Sequence, residues 1–165
     1  GFLLAAHAVA GLGITMRSSH GSQNLAGGFP DALAAIQTLL QAAAIIAVWV
    51  WFARGPADRE RLVRAFAAGV CAFIAFGKVL SPQFLIWLIP VVPLVRGRRG
   101  LWASLLLLAA LVLTQIWFPF RYFRLALDFE AGLSWVLLAR NLVLVSLALL
   151  LLPHKWPRGT VSATA

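Results

Sequence analysis

The sequence predicts an all-α protein, a polytopic bundle of transmembrane helices. Hydrophobic residues make up 62% of its 165 residues and charged residues only 12%, whereas a soluble domain carries about 25% charged residues. The mean hydropathy is +0.90. The apolar residues also form long runs, and a run of about 20 is enough for a helix to cross a membrane. These observations exclude an ordinary soluble domain and make the lipid bilayer the expected partner.

The apolar runs divide the chain into about five spans and one truncated span, separated by polar or basic segments that are typical of loops. Residues 1–14 are apolar but too few to span a bilayer. Because the chain also begins with Gly1 rather than Met, we expect a fragment of a larger protein. A disordered cytoplasmic tail, residues 153–165, is expected after a bundle of residues 1–152. The predicted spans are residues 32–52, 62–77, 83–95, 101–118 and 133–152, and the predicted loops include 15–31 and 119–132.

The basic residues indicate the orientation. Nine of the 14 lie on one side of the predicted membrane, four lie on the other, and Arg140 falls within the last span. Lys and Arg are enriched in cytoplasmic loops, so the side with nine is expected to be cytoplasmic. Their clustering between spans also argues against nucleic acid as a partner. The nine are Arg54, Arg59, Arg61, Arg64, Arg96, Arg98, Arg99, Lys155 and Arg158, and the four are Arg17, Lys78, Arg121 and Arg124.

A polar break interrupts the apolar sequence between residues 62 and 95. The spans on either side are short, about 16 and 13 residues, or roughly 24 and 20 Å as α-helix against a hydrocarbon core of about 30 Å. Ser81 is a good N-cap and Pro82 a good first helical residue, so a descending helix is expected to offer free backbone N–H groups from Gln83 onward. With the Lys78 ammonium, these donors predict an anion site. The alternative is that Lys78 reaches the membrane surface and the break is only a capped hairpin.

Two further polar residues lie within the last predicted span. Arg140 and Asn141 are about two turns into that span, some 10 Å deep. A guanidinium at that depth is costly, so we expect it to face the bundle interior and to meet an anion. The structural alternative is an ion pair with Asp128 or Glu130 or a hydrogen bond between helices.

The segments on the less basic side hold the remaining candidates. Arg121 and Arg124 are three residues apart and could share a helical face suited to phosphate or lipid headgroups, although Arg beside aromatic residues also simply anchors span ends. Gln115 and His20 are possible substrate contacts. Intramembrane amides, including Gln37 and Gln41 on one helical face, more often bond between helices.

Four pieces of the chain resemble one known family in the same order. The stretch from Gly77 to Pro90, GKVLSPQFLIWLIP, strongly resembles a segment of glycosyltransferase family 87, which comprises polytopic GT-C mannosyltransferases and their relatives. The other three pieces are SSHGSQNL (18–25), LTQIWFPFRY (113–122) and LARNL (138–142). The resemblance covers most of this chain and the C-terminal half of a family member.

The resemblance implies a multi-pass hexosyltransferase of the plasma (inner) membrane, active on the extracytoplasmic face. It would transfer a hexose, mannose by analogy, from a polyprenyl-phosphate sugar to a glycan or glycolipid acceptor without a metal or other cofactor. The catalytic acidic residue would lie upstream of Gly1, so this part would supply donor-binding surface. The implied donor phosphate and lipid contacts are Lys78, Ser81, Gln83, Arg121, Arg124 and Arg140, and the substrate contacts are His20, Asn141 and Gln115.

Two other functional classes remain open from the sequence. A transporter or flippase of a lipid-linked substrate also builds anion sites from broken helices. A non-catalytic membrane subunit is the third possibility. A transporter is expected to show a second discontinuous segment in a corresponding half, and an enzyme an acidic residue in its first outward loop.

Overall fold

The predicted helical bundle is confirmed. A computed structural model of the protein describes residues 2–10, 15–19, 22–26, 28–56, 58–77 and 82–152. Six helices, one two-stranded hairpin and two short 3₁₀ segments make up this part of the chain. In order they are α1 (Phe2–Ala10), β1 (Thr15–Ser19), β2 (Ser22–Ala26), α2 (Gly28–Ala53), α3 (Arg59–Ala75), the 3₁₀ segments Pro82–Trp87 and Val92–Leu94, α4 (Gly97–Trp117), α5 (Tyr122–Ala126) and α6 (Ala131–Leu151).

Three of the helices are long and apolar enough to cross a membrane: α2 from Phe29, α4 and α6. They match three of the predicted spans. Large apolar side chains on α2 are exposed, for example Leu39 at 71% and Trp49 at 68%. A surface of this kind is compatible with a lipid bilayer and is rare in soluble monomers. Helix α3 is shorter, 17 residues, and begins at Arg59 in the predicted basic loop.

The prediction of a descending α-helix over residues 83–95 is wrong. These residues form 3₁₀ turns, with backbone bonds such as the Leu88 N–H to the Leu85 carbonyl at 3.1 Å. Pro90 and Pro93 explain why no α-helix continues through residues 88–94, because each lacks an N–H donor and disfavours the α conformation in the residue before it.

Two predicted segments differ in smaller ways, whereas the apolar beginning of the chain, predicted as a truncated span, is helical over Phe2–Ala10 as expected. The predicted polar loop at 15–31 contains the antiparallel pair β1 and β2, in which Ser19 pairs with Ser22, and α2 starts before residue 31. The predicted loop at 119–132 contains α5. The predicted tail, residues 153–165, lies outside the described residues.

Helix α6 is the element on which α1, α3 and α4 all pack. Two hydrophobic clusters lie along it. The larger one joins α6 residues from Leu144 to Leu151 with α2, α3, α4 and the 3₁₀ segments. The smaller one joins Leu133 of α6 with Leu4, Trp117 and Leu125. Arg140 lies on α6 between the two clusters, so the polar residue is built into the centre of the bundle.

Arginines of α3 bond the C-terminal ends of two neighbouring helices. The Arg64 guanidinium donates to the carbonyls of Leu151 and Leu152 at 2.9 and 3.0 Å, at the end of α6. The Arg61 guanidinium donates to the Trp51 carbonyl near the end of α2. Both guanidinium groups also lie over the Trp51 ring, 4.8 and 5.0 Å from its centroid. These contacts tie α2, α3 and α6 together at their basic end, because the last carbonyls of a helix have no partner within it.

We predict that Arg64→Leu lowers the free energy of unfolding by about 1–3 kcal/mol, because two charge-assisted hydrogen bonds and a cation–π contact are lost. Equilibrium unfolding in mixed detergent and SDS micelles measures this change. Arg98→Leu is the matched control, since Arg98 is an exposed arginine at the same end of the bundle. Equal stability of the two variants would contradict the bonding role of Arg64.

Candidate functional site

The end of α3 is held by two amides of α2. Gln41 donates to the Phe73 carbonyl and Gln37 to the Gly77 carbonyl, each at 2.8 Å. The prediction that these glutamines bond between helices is therefore confirmed. A helix end within a membrane needs such partners, because hydrocarbon supplies no hydrogen bonds. The two bonds fix the chain immediately before the predicted break.

The break itself is described only in part. Lys78 and Ser81, the predicted cation and N-cap, lie outside the described residues, as does His20. Gln83 is exposed, and helical turns begin at Pro82 as predicted, although with 3₁₀ geometry. Trp87 of this segment stacks on Phe73 of α3, with ring centroids 6.4 Å apart. The far side of the break is thereby anchored to the same helix end as the near side.

Arg140 is the most unusual residue of the described chain. Its side chain is fully buried, with 0% exposure, and it lies nine residues, about 14 Å, from the start of α6. Its Nε and Nη2 atoms donate to the Asn141 side-chain oxygen at 3.2 and 3.0 Å. Its Nη1 atom is buried without a hydrogen-bond partner. The guanidinium is thus hydrogen-bonded on one side and unpaired on the other.

The Trp117 ring covers the guanidinium, whose central carbon lies 5.4 Å from the ring centroid. Trp117 is the last residue of α4, so Arg140 is level with that end of α4 although it lies deep along its own helix. The Trp117 indole N–H is also buried without a partner. Two orphaned donors, one on each side chain, therefore occupy the same part of the bundle.

An aromatic contact connects Trp117 to the segment that follows α4. The ring of Tyr122, the first residue of α5, stacks on Trp117 with centroids 6.3 Å apart and planes inclined by 30°. Arg121 and Arg124 flank Tyr122 in the sequence, and both are exposed. Gln115 of α4 is exposed as well. Of the predicted site residues, the structure brings Arg140 and Asn141 into direct contact and leaves Gln83, Gln115, Arg121 and Arg124 at the surface.

The structural alternatives for Arg140 were an ion pair with Asp128 or Glu130 and a hydrogen bond between helices. Within the described residues, the hydrogen bonds of its guanidinium go instead to Asn141, which is uncharged and lies on the same helix. A buried charge without a counter-charge is costly, and an anion would supply both the opposite charge and an acceptor for Nη1. The missing counter-charge and the unpaired Nη1 donor are the features that a phosphate or carboxylate would complete. No group of three or more His, Cys, Asp and Glu side chains that could hold a metal ion occurs among the described residues.

Trp117 is the contact that sequence reasoning missed. Its position near a span end predicts an interfacial anchor, yet its side chain is only 3% exposed. The contact between Trp117 and Arg140 depends on how α4 packs against α6, and this packing cannot be predicted from the residue spacing within either helix. The LTQIWFPFRY and LARNL pieces do contain Trp117 and Arg140 respectively, but they do not place the two side chains in contact.

No protein-family model, curated protein or solved structure matches this chain. The resemblance to glycosyltransferase family 87 consequently rests on the four sequence pieces alone.

We predict that Gly77→Ala destabilises the protein by about 1–3 kcal/mol, the usual cost of an atom forced into a filled space. An added Cβ would lie 2.8 Å from the Phe73 carbonyl oxygen, which already accepts the Gln41 amide. Unfolding in detergent measures the change. Gly69→Ala is the control, because its Cβ would meet only Val48, at 4.0 Å. A neutral Gly77→Ala would contradict the close packing at the end of α3.

We predict that Asn141→Leu costs about 2–3 kcal/mol of stability, because the buried guanidinium then has no acceptor for its Nε and Nη2 donors. The double variant Arg140→Met/Asn141→Leu is expected to recover most of this loss, because apolar groups of similar volume need no partner. The same unfolding measurement compares the two. A double variant as unstable as Asn141→Leu would mean that Asn141 acts through packing and not through Arg140.

Proposed function

We propose that this chain is part of an integral-membrane hexosyltransferase that uses a polyprenyl-phosphate sugar, with Arg140 binding the donor phosphate. The observation that carries the proposal is the fully buried Arg140 guanidinium, which has a neutral hydrogen-bond partner and one orphaned N–H. Placing Arg at the centre of a membrane helix costs about 2.5–3.5 kcal/mol by insertion scales. Because of this cost, a charged residue within a membrane span is best explained by a function. The Arg140 guanidinium lacks a counter-charge, which an anionic ligand would supply.

The neighbours of Arg140 support a lipid-linked ligand. Trp117 and Tyr122 provide a stacked aromatic surface between the guanidinium and the segment after α4. The exposed Arg121 and Arg124 add positive charge at that segment. A phosphate needs cationic donors, whereas a sugar and an isoprenoid chain favour aromatic and apolar surfaces. These groups together suit a ligand that has all three parts.

The resemblance to glycosyltransferase family 87 supplies the reaction. An acceptor hydroxyl would attack the anomeric carbon, the bond from that carbon to the phosphate oxygen would break, and the lipid phosphate would leave. An acidic residue would take the hydroxyl proton. Lys78 and Arg140 would stabilise the growing charge on the departing phosphate. The face used would be the one opposite the basic end, which the positive-inside rule makes extracytoplasmic.

The second candidate is a transporter or flippase of a lipid-linked substrate. The 3₁₀ turns over Pro82–Trp87 and Val92–Leu94 favour it, because transporters place interrupted helices beside their anion sites. Both candidates use the same phosphate contact. They differ in whether the glycosidic bond to the donor is broken.

We predict that Arg140→Met and Lys78→Ala, introduced into the protein at its natural length, each lower the turnover of polyprenyl-phosphate mannose in membrane vesicles. Loss of one preorganised donor to a developing negative charge typically costs about 100- to 1,000-fold in rate. The measurement follows radiolabelled mannose as it leaves the donor lipid and enters glycan or glycolipid. Arg98→Met, an exposed cation far along α4 from Trp117, is the control and is expected to keep the wild-type rate.

Three outcomes separate the candidates. Loss of transfer with unchanged protein levels supports the transferase. Intact donor that nevertheless crosses the vesicle membrane, in wild type but not in Arg140→Met, supports the transporter. Wild-type turnover in both variants would contradict the phosphate-binding role of both residues. Lys78 would then be interpreted as a side chain that reaches the membrane surface, and Arg140 as a structural residue.

A further inference from the structure

An apolar surface feature lies between α2 and α3, and it includes Trp87 but not Arg140. A groove of about 500 Å³ opens there on the surface of the protein, within the range of about 300–1,000 Å³ that small-molecule sites occupy. Its floor contains the small residues Ala65 and Gly69, and its walls carry aromatic rings. The lining residues are all apolar: Ile45, Val48, Trp49, Phe52, Leu62, Ala65, Phe66, Gly69, Val70, Phe73 and Trp87.

The length of the groove matches one leaflet of a bilayer. Along α3 it runs from Leu62 to Phe73, eleven residues or about 16 Å at 1.5 Å per residue. Half of a hydrocarbon core is about 15 Å. The stack of Trp87 on Phe73 lies at one end of this length. A hydrocarbon chain entering from the opposite end would therefore meet this stack at about the depth where its own leaflet ends.

The opposite end of the groove carries an exposed arginine. At 3.6 residues per turn, Arg59 lies on the same side of α3 as Leu62, Phe66 and Phe73, within an arc of about 60°. Arg59 is exposed and is the first residue of the helix. Glu60 follows it about 100° further round the helix, away from the groove face. Asp58, the exposed residue before Arg59, is the N-cap of α3, and its carboxylate accepts from the Arg61 backbone N–H. A single stripe of α3 thus carries a cation at the membrane surface and an apolar groove below it.

We propose that this groove holds one acyl chain of an anionic phospholipid from the leaflet at the basic end of the bundle, with Arg59 binding the lipid phosphate. The charge of the stripe, the apolar lining and the one-leaflet length each match a part of such a lipid. The site is separate from Arg140 and does not depend on the proposed transferase activity. It would make the packing of α2 on α3 sensitive to the charge of the surrounding membrane, because α2 is otherwise little buried.

Native mass spectrometry of the purified protein tests the proposal, with phosphatidylglycerol and phosphatidylcholine of identical acyl chains as probes. We expect one phosphatidylglycerol to be retained in preference to phosphatidylcholine. Arg59→Gln is expected to lower this preference by about fivefold, the usual contribution of one basic residue near an anionic membrane surface. Arg98→Gln, an exposed arginine of the same end on α4, is the matched control and is expected to change the preference little.

Gly69→Leu tests the groove itself. The nearest atom to a Cβ at Gly69 is Val48 Cγ1 at 4.0 Å, so a leucine there would extend into the space for the acyl chain. Retention of both lipids is expected to fall at least tenfold. Gly132→Leu is the control, since a Cβ at Gly132 meets nothing within 4 Å. Thermal unfolding checks that both glycine variants fold. If Gly69→Leu fails to fold, Arg59→Gln still tests the proposal, because Arg59 is exposed.

Several results would overturn the proposal. Equal retention of the two lipids by the wild-type protein would show that Arg59 does not recognise the lipid headgroup. Wild-type lipid retention by Gly69→Leu would show that the acyl chain does not occupy the groove. A dimer mass that Gly69→Leu converts to monomer would show that a second copy of the chain, and not a lipid, covers this face.

Discussion

The last carbonyls of a helix have no partner within it, and the bundle depends on which side chains bond them. Where such a carbonyl lies in hydrocarbon, leaving it unpaired costs several kcal/mol. Gln37 and Gln41 of α2 bond carbonyls at the end of α3, while Arg61 and Arg64 of α3 bond the ends of α2 and α6. Helices α2 and α3 therefore bond each other's ends. This reciprocal arrangement fixes the peripheral helix α2, which has little buried surface of its own.

The buried side chain of Arg140 also needs hydrogen-bond partners from the protein, and only some of its N–H groups have one. Asn141 accepts from two of its nitrogens, and the Trp117 ring offers its electron-rich face to the charge. One guanidinium N–H and the Trp117 indole N–H have no partner. The Arg61 Nε atom at the basic end is also buried without a partner, but the Arg140 and Trp117 donors belong to two side chains that contact each other at the centre of the bundle, and this pairing indicates a position shaped by something other than folding stability. A bound anion would complete the hydrogen bonding that the chain leaves open.

Much of the fold follows from hydropathy, and the parts that do not follow have local causes. The runs at 32–52, 101–118 and 133–152 predict α2, α4 and α6 because about 20 apolar residues without charge leave few alternatives in a bilayer. The 83–95 segment was equally apolar, but Pro90 and Pro93 impose backbone geometry that hydropathy does not record. The β1–β2 hairpin was missed because Ser, Asn and Gln are read as loop formers, although paired strands satisfy their backbones equally well. For the site, burial of Arg140 follows from its position in a span, whereas its contact with Trp117 requires the packing of α4 on α6.

The 3₁₀ segments determine how the chain leaves the break. A 3₁₀ helix rises about 2.0 Å per residue, compared with 1.5 Å for an α-helix, but only residues 82–87 and 92–94 have this geometry, and turns separate them. The segment connects the break to Gly97, where α4 begins, and its Trp87 ring stacks on Phe73. That single aromatic contact stands between the break on one side and the apolar groove on the other. Because Trp87 also lines the groove, the segment that follows the break forms part of the lipid-facing surface of α2 and α3.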